Sequence, residues 1–194
     1  MKFKFRWMAL VLCVAALVGP TMADESNVHE ADPCGDPRLE SQAYASAEGT
    51  VVEVLDGNTL VVDFQARFAG DREGKKTVRM VNLEVPPVTE PVGLESQARL
   101  DATLSGKSVS VLVSPVQEDG APLNAMVQIR GGHSVDENAG QLEKGLARYR
   151  NAGTYAVGGW TDCHYRRAEA QARKAKVGLW GEASESASEA RKEN

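Results

Sequence analysis

The sequence predicts an α+β domain in which five short strands and about three helices share one hydrophobic core. Five runs rich in β-branched residues are bounded by turn residues, which is typical of strands. Three longer segments repeat apolar residues at helical spacing. These segments occupy roughly 135 residues, enough for one domain. We therefore expect one domain at residues 48–181, preceded by a polar arm at 24–47 and followed by a disordered or frayed tail at 182–194.

The first two strands are predicted to form a hairpin. They flank Asp56-Gly57-Asn58, a turn sequence in which glycine adopts positive φ at little cost. Further along, serine and valine alternate from Ser108 to Val111, which indicates a strand with one buried face. The five predicted strands are Thr50–Leu55, Thr59–Phe64, Thr77–Leu83, Ser108–Val113 and Asn124–Ile129.

The first predicted helix, Leu94–Leu104, ends before Gly106. The residues expected on its apolar stripe are Leu94, Ala98 and Leu104. The second helix is expected to begin at Ser134, because Glu137 three residues later completes a capping box. The residues expected on its apolar stripe are Val135, Ala139, Leu142, Leu146 and Tyr149.

The third predicted helix runs from about Thr161 to Val177 and ends before Gly178. Its apolar residues again step at helical spacing; they are Tyr165, Ala168, Ala172, Ala175 and Leu179. The predicted order is therefore three strands, one helix, two strands and two helices. Five short strands with a helix after the third favour a five-stranded OB-type barrel.

The N-terminal residues predict a secretory signal. A basic start at Lys2, Lys4 and Arg6 is followed by an apolar run, and small residues suit cleavage after Ala23. The run is shorter than the roughly 20 apolar residues that a membrane span needs. An uncleaved anchor is the alternative. Cleavage predicts a secreted or periplasmic protein without a stable membrane span.

The charge balance argues against a general nucleic-acid binder. Removing residues 1–23 takes three of the 22 Lys and Arg residues and no acidic residue, which leaves 19 against 27 Asp and Glu and a net charge of −8. Binding to phosphates requires cations that displace counterions. A local basic surface is still compatible with this mean charge.

Two cysteines remain after the predicted cleavage, Cys34 and Cys163. An even cysteine count in an exported chain predicts a disulfide between them, with two free thiols as the alternative. No cysteine–histidine spacing predicts a metal site. His164 is only a neighbour of Cys163, and His29 and His133 are expected at the surface.

Four short motifs resemble those of the thermonuclease (staphylococcal nuclease-like) family. They follow one another in the family's order from about Gly49 to Gly181, which implies that family's barrel fold. The segments that resemble it are Val51–Thr59, Val78–Pro86, Gly145-Leu146-Ala147, and Ala168–Ala172 with Gly178-Leu179-Trp180.

The resemblance implies calcium-assisted phosphodiester hydrolysis, with hard oxygen ligands around the ion. One acidic ligand of the family falls on Asn58, whose amide oxygen carries no charge, and its partner falls on Glu84. Asp56 retains its carboxylate. These positions predict at most a weakened calcium site.

The implied catalytic groups are incomplete. One phosphate-binding arginine is present as Arg79, but the family's general base falls on Pro87, which has no side-chain base. Glu84 and Glu90 are the candidate substitutes, and Glu90 would serve only if its loop folds back. The second arginine falls on Ala121 or Pro122. Arg130 lies at the wrong end of its strand.

Several residues have a structural interpretation beside the functional one. Arg79 either retains a phosphate contact or pairs with Glu84 or Asp56. Asp56-Gly57-Asn58 is either a metal loop or an ordinary hairpin turn. Basic residues on the last helix are interpreted as a solvated face, with nucleic acid as the alternative partner; they are Arg166, Arg167, Arg173, Lys174 and Lys176.

The leading functional prediction is a non-catalytic binding or interaction module. Its partner would be a protein, or a nucleic acid held at the residual phosphate position. The alternative is a secreted calcium-dependent nuclease.

Overall fold

The computed structural model describes residues 32–36, 44–64, 74–130, 135–151 and 158–181. All of them belong to one compact unit, Asp32–Asn194. The predicted signal, the predicted tail, His29, His133 and Ser134 lie outside the described residues.

Within these ranges the structure has eight strands and three α-helices. The strands are β1 Ala45–Val54, β2 Thr59–Phe64, β3 Gly74–Met80, β4 Leu83–Glu84, β5 Ser108–Val113, β6 Leu123–Ile129, β7 Val135–Asp136 and β8 Arg148–Tyr149. The helices are α1 Pro91–Leu104, α2 Glu137–Glu143 and α3 Gly159–Ala175, and a 3-10 turn follows at Gly178–Trp180. β1 begins three residues before the predicted start of the domain.

Five of the strands close into a barrel. β3, β2, β1, β5 and β6 pair antiparallel in that order, and β3 also pairs parallel with β6, which joins the two edges. β1 is long enough to pair with both β5 and β2, and an irregularity between Val51 and Glu53 lets it bend between them. The predicted α+β, five-stranded OB-type barrel with three helices is confirmed.

The barrel interior supplies most of the core. Alternate strand residues point inward, as a half-buried strand requires. The inward residues of β1, β2, β3, β5 and β6 are Ala47, Val51, Val54, Leu60, Val62, Phe64, Val78, Met80, Val109, Val111, Val113, Ala125 and Val127. Leu100 and Leu104 of α1 also belong to this core.

The predicted apolar stripe of the first helix is wrong in part. Leu94 is 58% exposed and Ala98 is also exposed. The residues that α1 buries are Gly93, Ser96, Leu100 and Leu104. Ser96 is buried because it packs against the Gly57 turn, and Gly93 because it packs against the Pro86 and Pro87 carbonyls. Hydrophobic periodicity does not detect such contacts, since they need small residues rather than apolar ones.

The predicted extent of the second helix is also wrong. Asp136 is its N-cap, and the Asp136 carboxylate accepts a hydrogen bond from the Asn138 amide at 2.9 Å. Val135 lies in β7, where it is 50% exposed, and Tyr149 lies in β8. The helix ends early because Gly145 adopts a φ of +67°.

The third helix agrees with its predicted range to within two residues at each end. It buries Tyr165, Ala168 and Ala172 as expected, whereas Ala175 is exposed. It ends at Lys176, which adopts a left-handed conformation with a φ of +52°. No helix among the described residues is long and apolar enough to cross a membrane.

The predicted disulfide is present between Cys34 and Cys163, whose Cα atoms lie 5.5 Å apart. It joins the short segment 32–36 to the first turn of α3 across 129 positions of sequence.

Candidate functional site

The segment Asp56-Gly57-Asn58 forms the turn between β1 and β2. The Leu55 and Asp56 amides both donate to the Thr59 carbonyl, at 2.8 and 3.2 Å. The Asp56 carboxylate accepts from the Asn58 amide at 2.8 Å. These bonds are those of a side-chain-stabilised turn, so hairpin chemistry accounts for Asp56.

Asn58 connects this turn to β4. Its side-chain nitrogen donates to the Leu83 carbonyl at 3.1 Å, and its side-chain oxygen accepts from the Thr59 hydroxyl at 3.0 Å. The structure therefore brings Asn58 next to the segment that carries Glu84. It does so through an amide N–H donor, which a carboxylate at this position would lack.

Glu84 faces solvent on β4 and is 56% exposed. Its charged partner among the described residues is Arg150, which lies 3.5 Å away and is also exposed, at 69%. Such an exposed pair contributes little to stability. Glu84 is thus accessible, but it pairs with Arg150 rather than with Arg79.

Arg79 lies on the exposed face of β3, opposite Thr59 of β2 and Asn124 of β6. Within the described part of the chain its guanidinium makes no ion pair. Neither predicted pairing, with Glu84 or with Asp56, is therefore present. Among those residues, no carboxylate competes with an anion for the Arg79 guanidinium.

The loop that carries Pro87 folds back on itself. The Glu90 amide donates to the Pro87 carbonyl at 2.9 Å, which closes a four-residue turn. Glu90 is the N-cap residue of α1 and is half-buried. Gly93 packs so closely on this turn that an added Cβ would lie 2.1 Å from the Pro87 carbonyl oxygen. The turn therefore holds Glu90 close to Pro87.

The expected second arginine position holds residues without a charged side chain. Ala121 and Pro122 are half-buried in the loop before β6. The Gln117 side chain holds that loop, because it accepts from the Asn124 amide and donates to its carbonyl, at 2.9 and 3.0 Å. Arg130 follows the far end of β6 and pairs with Glu48 at 2.8 Å.

A buried network of polar side chains holds the Gly57 turn in place. The Gln141 side chain, fully buried in α2, donates to the Gly57 carbonyl at 2.7 Å and to the Ser96 hydroxyl at 2.8 Å. Arg99 of α1 donates to the Gln141 side-chain oxygen at 3.2 Å and pairs with Glu137 at 3.0 Å. The candidate metal loop is therefore anchored to two helices.

Sequence reasoning missed this network. The sequence feature that could have revealed it is the pair Glu137 and Gln141, two polar residues one helical turn apart in the predicted second helix. The partners lie far away along the chain, from 38 positions between Glu137 and Arg99 to 84 between Gln141 and Gly57.

The basic face of α3 is largely compensated by acidic neighbours. Arg166 pairs with Asp162 at 2.7 Å, and this contact holds the pKa of the Asp162 carboxyl below its ordinary value. Arg173 pairs with Glu169 at 3.4 Å and also lies over the Trp180 ring at 3.7 Å from its centroid. These contacts favour the interpretation of a solvated helix face.

Comparison with known proteins agrees with the fold and covers the three motifs that follow residue 65, whereas Val51–Thr59 lies before the matched range. A search of curated proteins finds no match. The family model described as Staphylococcal nuclease homologue matches residues 65–182, which is 118 of the 194 residues. The match covers β3 through the closing 3-10 turn. This chain therefore belongs to the staphylococcal nuclease homologue family.

Proposed function

We propose that this protein is an exported, non-catalytic member of its family that uses the barrel as a binding module. The observation that carries the proposal is the residue at the position expected for the base. Pro87 offers no proton acceptor on its side chain, and its carbonyl is already engaged by the Glu90 amide.

The remaining charges support the same proposal. Arg79 is the one candidate phosphate contact, and the position of a second arginine holds Ala121 or Pro122. Removing one group that stabilises developing charge commonly lowers kcat by about 10²- to 10³-fold. The base and one arginine are both missing here, although such losses are not additive. We therefore expect no efficient hydrolysis.

The candidate calcium site is weak for a related reason. Asn58 brings no charge, and its amide is engaged with Leu83 and Thr59. Asp56 and Glu84 retain carboxylates, so calcium binding would be weak and would not be needed for the fold. The partner is a protein, or a nucleic acid whose phosphate meets Arg79.

A nuclease assay tests this proposal. Single-stranded DNA and RNA are incubated with the purified protein in calcium and, separately, in chelator, and an Arg79→Ala protein runs beside it to exclude contamination. We expect no cleavage above that of the variant. Calcium-dependent cleavage that is lost in Arg79→Ala would overturn the proposal.

A calcium-dependent nuclease is the second candidate, and the Pro87–Glu90 turn favours it. That turn brings the Glu90 backbone back to Pro87, which supports Glu90 as a candidate for the missing base. If cleavage is found, Glu90→Gln would abolish it. Glu95→Gln, an exposed change one turn further along α1, is the matched control and would leave it unchanged.

A further inference from the structure

A cluster of metal-binding residue types lies where the segment 32–36 meets the first turns of α3. One ligand atom from each of Asp32, Cys34 and His164 lies within 4.8 Å of the others. The Nε2 atom of His164 is 2.8 Å from an Asp32 carboxylate oxygen. Sequence spacing did not predict this set, because Asp32 and His164 are 132 positions apart.

The three ligand atoms lie close enough together for one small cation to bind after a small rearrangement. Zinc bonds to nitrogen or oxygen at about 2.0 Å and to sulfur at about 2.3 Å, so tetrahedral ligand atoms lie about 3.3 to 3.6 Å apart. Shifts of roughly an ångström would bring the three atoms to these separations. A thiolate, an imidazole and a carboxylate select a zinc-class cation over calcium or magnesium, which prefer oxygen ligands alone.

Neighbouring groups hold two of these ligands in place. The Trp160 indole N–H donates to the Asp32 carboxylate at 3.2 Å, and the Trp160 ring lies 4.0 Å from the His164 ring. Arg167 lies 3.7 Å from Asp32 and 4.0 Å from the Cys34 sulfur. Contacts of this kind orient metal ligands, and their loss commonly weakens binding about 10- to 100-fold.

The disulfide decides whether the third ligand is available. The Cys34 sulfur is bonded to Cys163, and a disulfide sulfur is not a thiolate ligand. We propose that Asp32, Cys34 and His164 bind one zinc-class divalent cation when the disulfide is open, and that Cys163 closes the site by taking the Cys34 sulfur. The chain thus has an oxidised state, in which the disulfide is closed, and a reduced state, which binds the metal.

A phosphine can reduce the Cys34–Cys163 disulfide in a reaction whose atoms and electrons balance. The S–S bond breaks, one water supplies its oxygen to the phosphine as phosphine oxide, and each sulfur takes one of the two protons. Metal binding then releases the Cys34 proton to solvent. The carboxylate and the thiolate together carry two negative charges, which equal the charge of the cation.

Two single-cysteine variants test the proposal without any reductant. Both are made in the full chain with Cys13→Ser, so that no other thiol is present. Cys163→Ser frees Cys34, whereas Cys34→Ser frees Cys163. Both lose the same disulfide, so they share its effect on stability and differ only in which thiol remains.

The probe is cobalt(II) alone, added without oxygen and followed by absorbance. We expect Cys163→Ser to bind one equivalent with a thiolate-to-cobalt charge-transfer band and the visible bands of a tetrahedral ion. Cys34→Ser should show neither. In the Cys163→Ser chain, His164→Ala and Asp32→Ala should each weaken binding at least about tenfold.

The chain with Cys13→Ser as its single substitution, which still forms the disulfide, provides a second measurement in case a variant does not fold. Its charge-transfer band should be absent when oxidised and should appear after reduction by a phosphine, with far-ultraviolet circular dichroism unchanged. Equal bands in the two single-cysteine variants would overturn the proposal. So would binding that is unaffected by His164→Ala, or reduced, folded protein without a band.

Discussion

Removing the Cys34–Cys163 disulfide is expected to lower the free energy of unfolding by about 2 to 5 kcal/mol. The bond closes a loop of 129 positions, and on the chain-entropy model such a loop constrains the unfolded chain by about 5 kcal/mol. That full loss applies if segment 32–36 stays docked on α3 without the bond.

The lower figure applies if the segment undocks. Barrel pairing begins at Ala45, so the reduced native chain would regain the freedom of a loop of about 11 residues, worth about 3 kcal/mol. The difference between the two loops is about 2 kcal/mol. The contacts of Asp32 with Trp160 and His164 decide between these limits.

Urea unfolding followed by circular dichroism measures the loss. The reference chain carries Cys13→Ser alone. It is compared with a chain that carries Cys13→Ser together with Cys34→Ser and Cys163→Ser. We also expect the urea dependence to become steeper in the variant, because its unfolded chain exposes more surface. A loss below about 1 kcal/mol would refute the loop argument. If the segment stays docked, Asp32→Ala should cost further stability in the double variant.

Three further predictions concern the network and the caps. Arg99→Met should lower the free energy of unfolding by about 3 to 5 kcal/mol, because it leaves the Glu137 carboxylate, which is 1% exposed, without its partner. The double variant Arg99→Met/Glu137→Met should recover most of this loss, as measured by urea titration. An equal loss in both would contradict this. Gly57→Ala should cost at least about 1 to 3 kcal/mol, since its Cβ would lie 2.2 Å from a hydroxyl oxygen. Gly159→Ala, which meets no atom within 4 Å, is the control and should be neutral or stabilising in the same thermal melts. Burial raises the pKa of Asp136 from 3.8 to about 6, so the folded state binds this proton more tightly. Its stabilising contribution is complete below pH 3.8 and is lost as the pH rises through 6. From pH 4 to pH 7 Asp136→Asn should therefore gain about 2 kcal/mol in free energy of unfolding relative to wild type. A difference that stays constant over that range would refute the assignment.

The strands were predictable because their signal is local. Two of the five predicted ranges, Thr59–Phe64 and Ser108–Val113, coincide with β2 and β5. Their residues alternate between the barrel interior and its surface, and this alternation is written directly in the sequence. The hairpin turn at Gly57 was also predicted, but the expected positive φ is wrong: Gly57 lacks it, and its missing Cβ instead makes room for Ser96.

The helices were less predictable because their buried faces include polar and small residues. Ser96 and Gln141 are fully buried, yet neither belongs to an apolar stripe. Leu94 belongs to a predicted stripe and faces solvent. Burial at these positions is decided by partners on other elements, which no local pattern records.

The sequence by itself determined the order of the main elements and the pairing of Cys34 with Cys163. The order of the elements depends on residue type and on spacing within about a dozen positions, and the cysteine pairing follows from an even cysteine count in a chain expected to be exported. Only the tertiary structure decided that Gln141 anchors the Gly57 turn and that His164 meets Asp32. Both contacts join polar atoms that are far apart in the chain, and closure of the barrel and docking of α3 bring them within hydrogen-bonding distance.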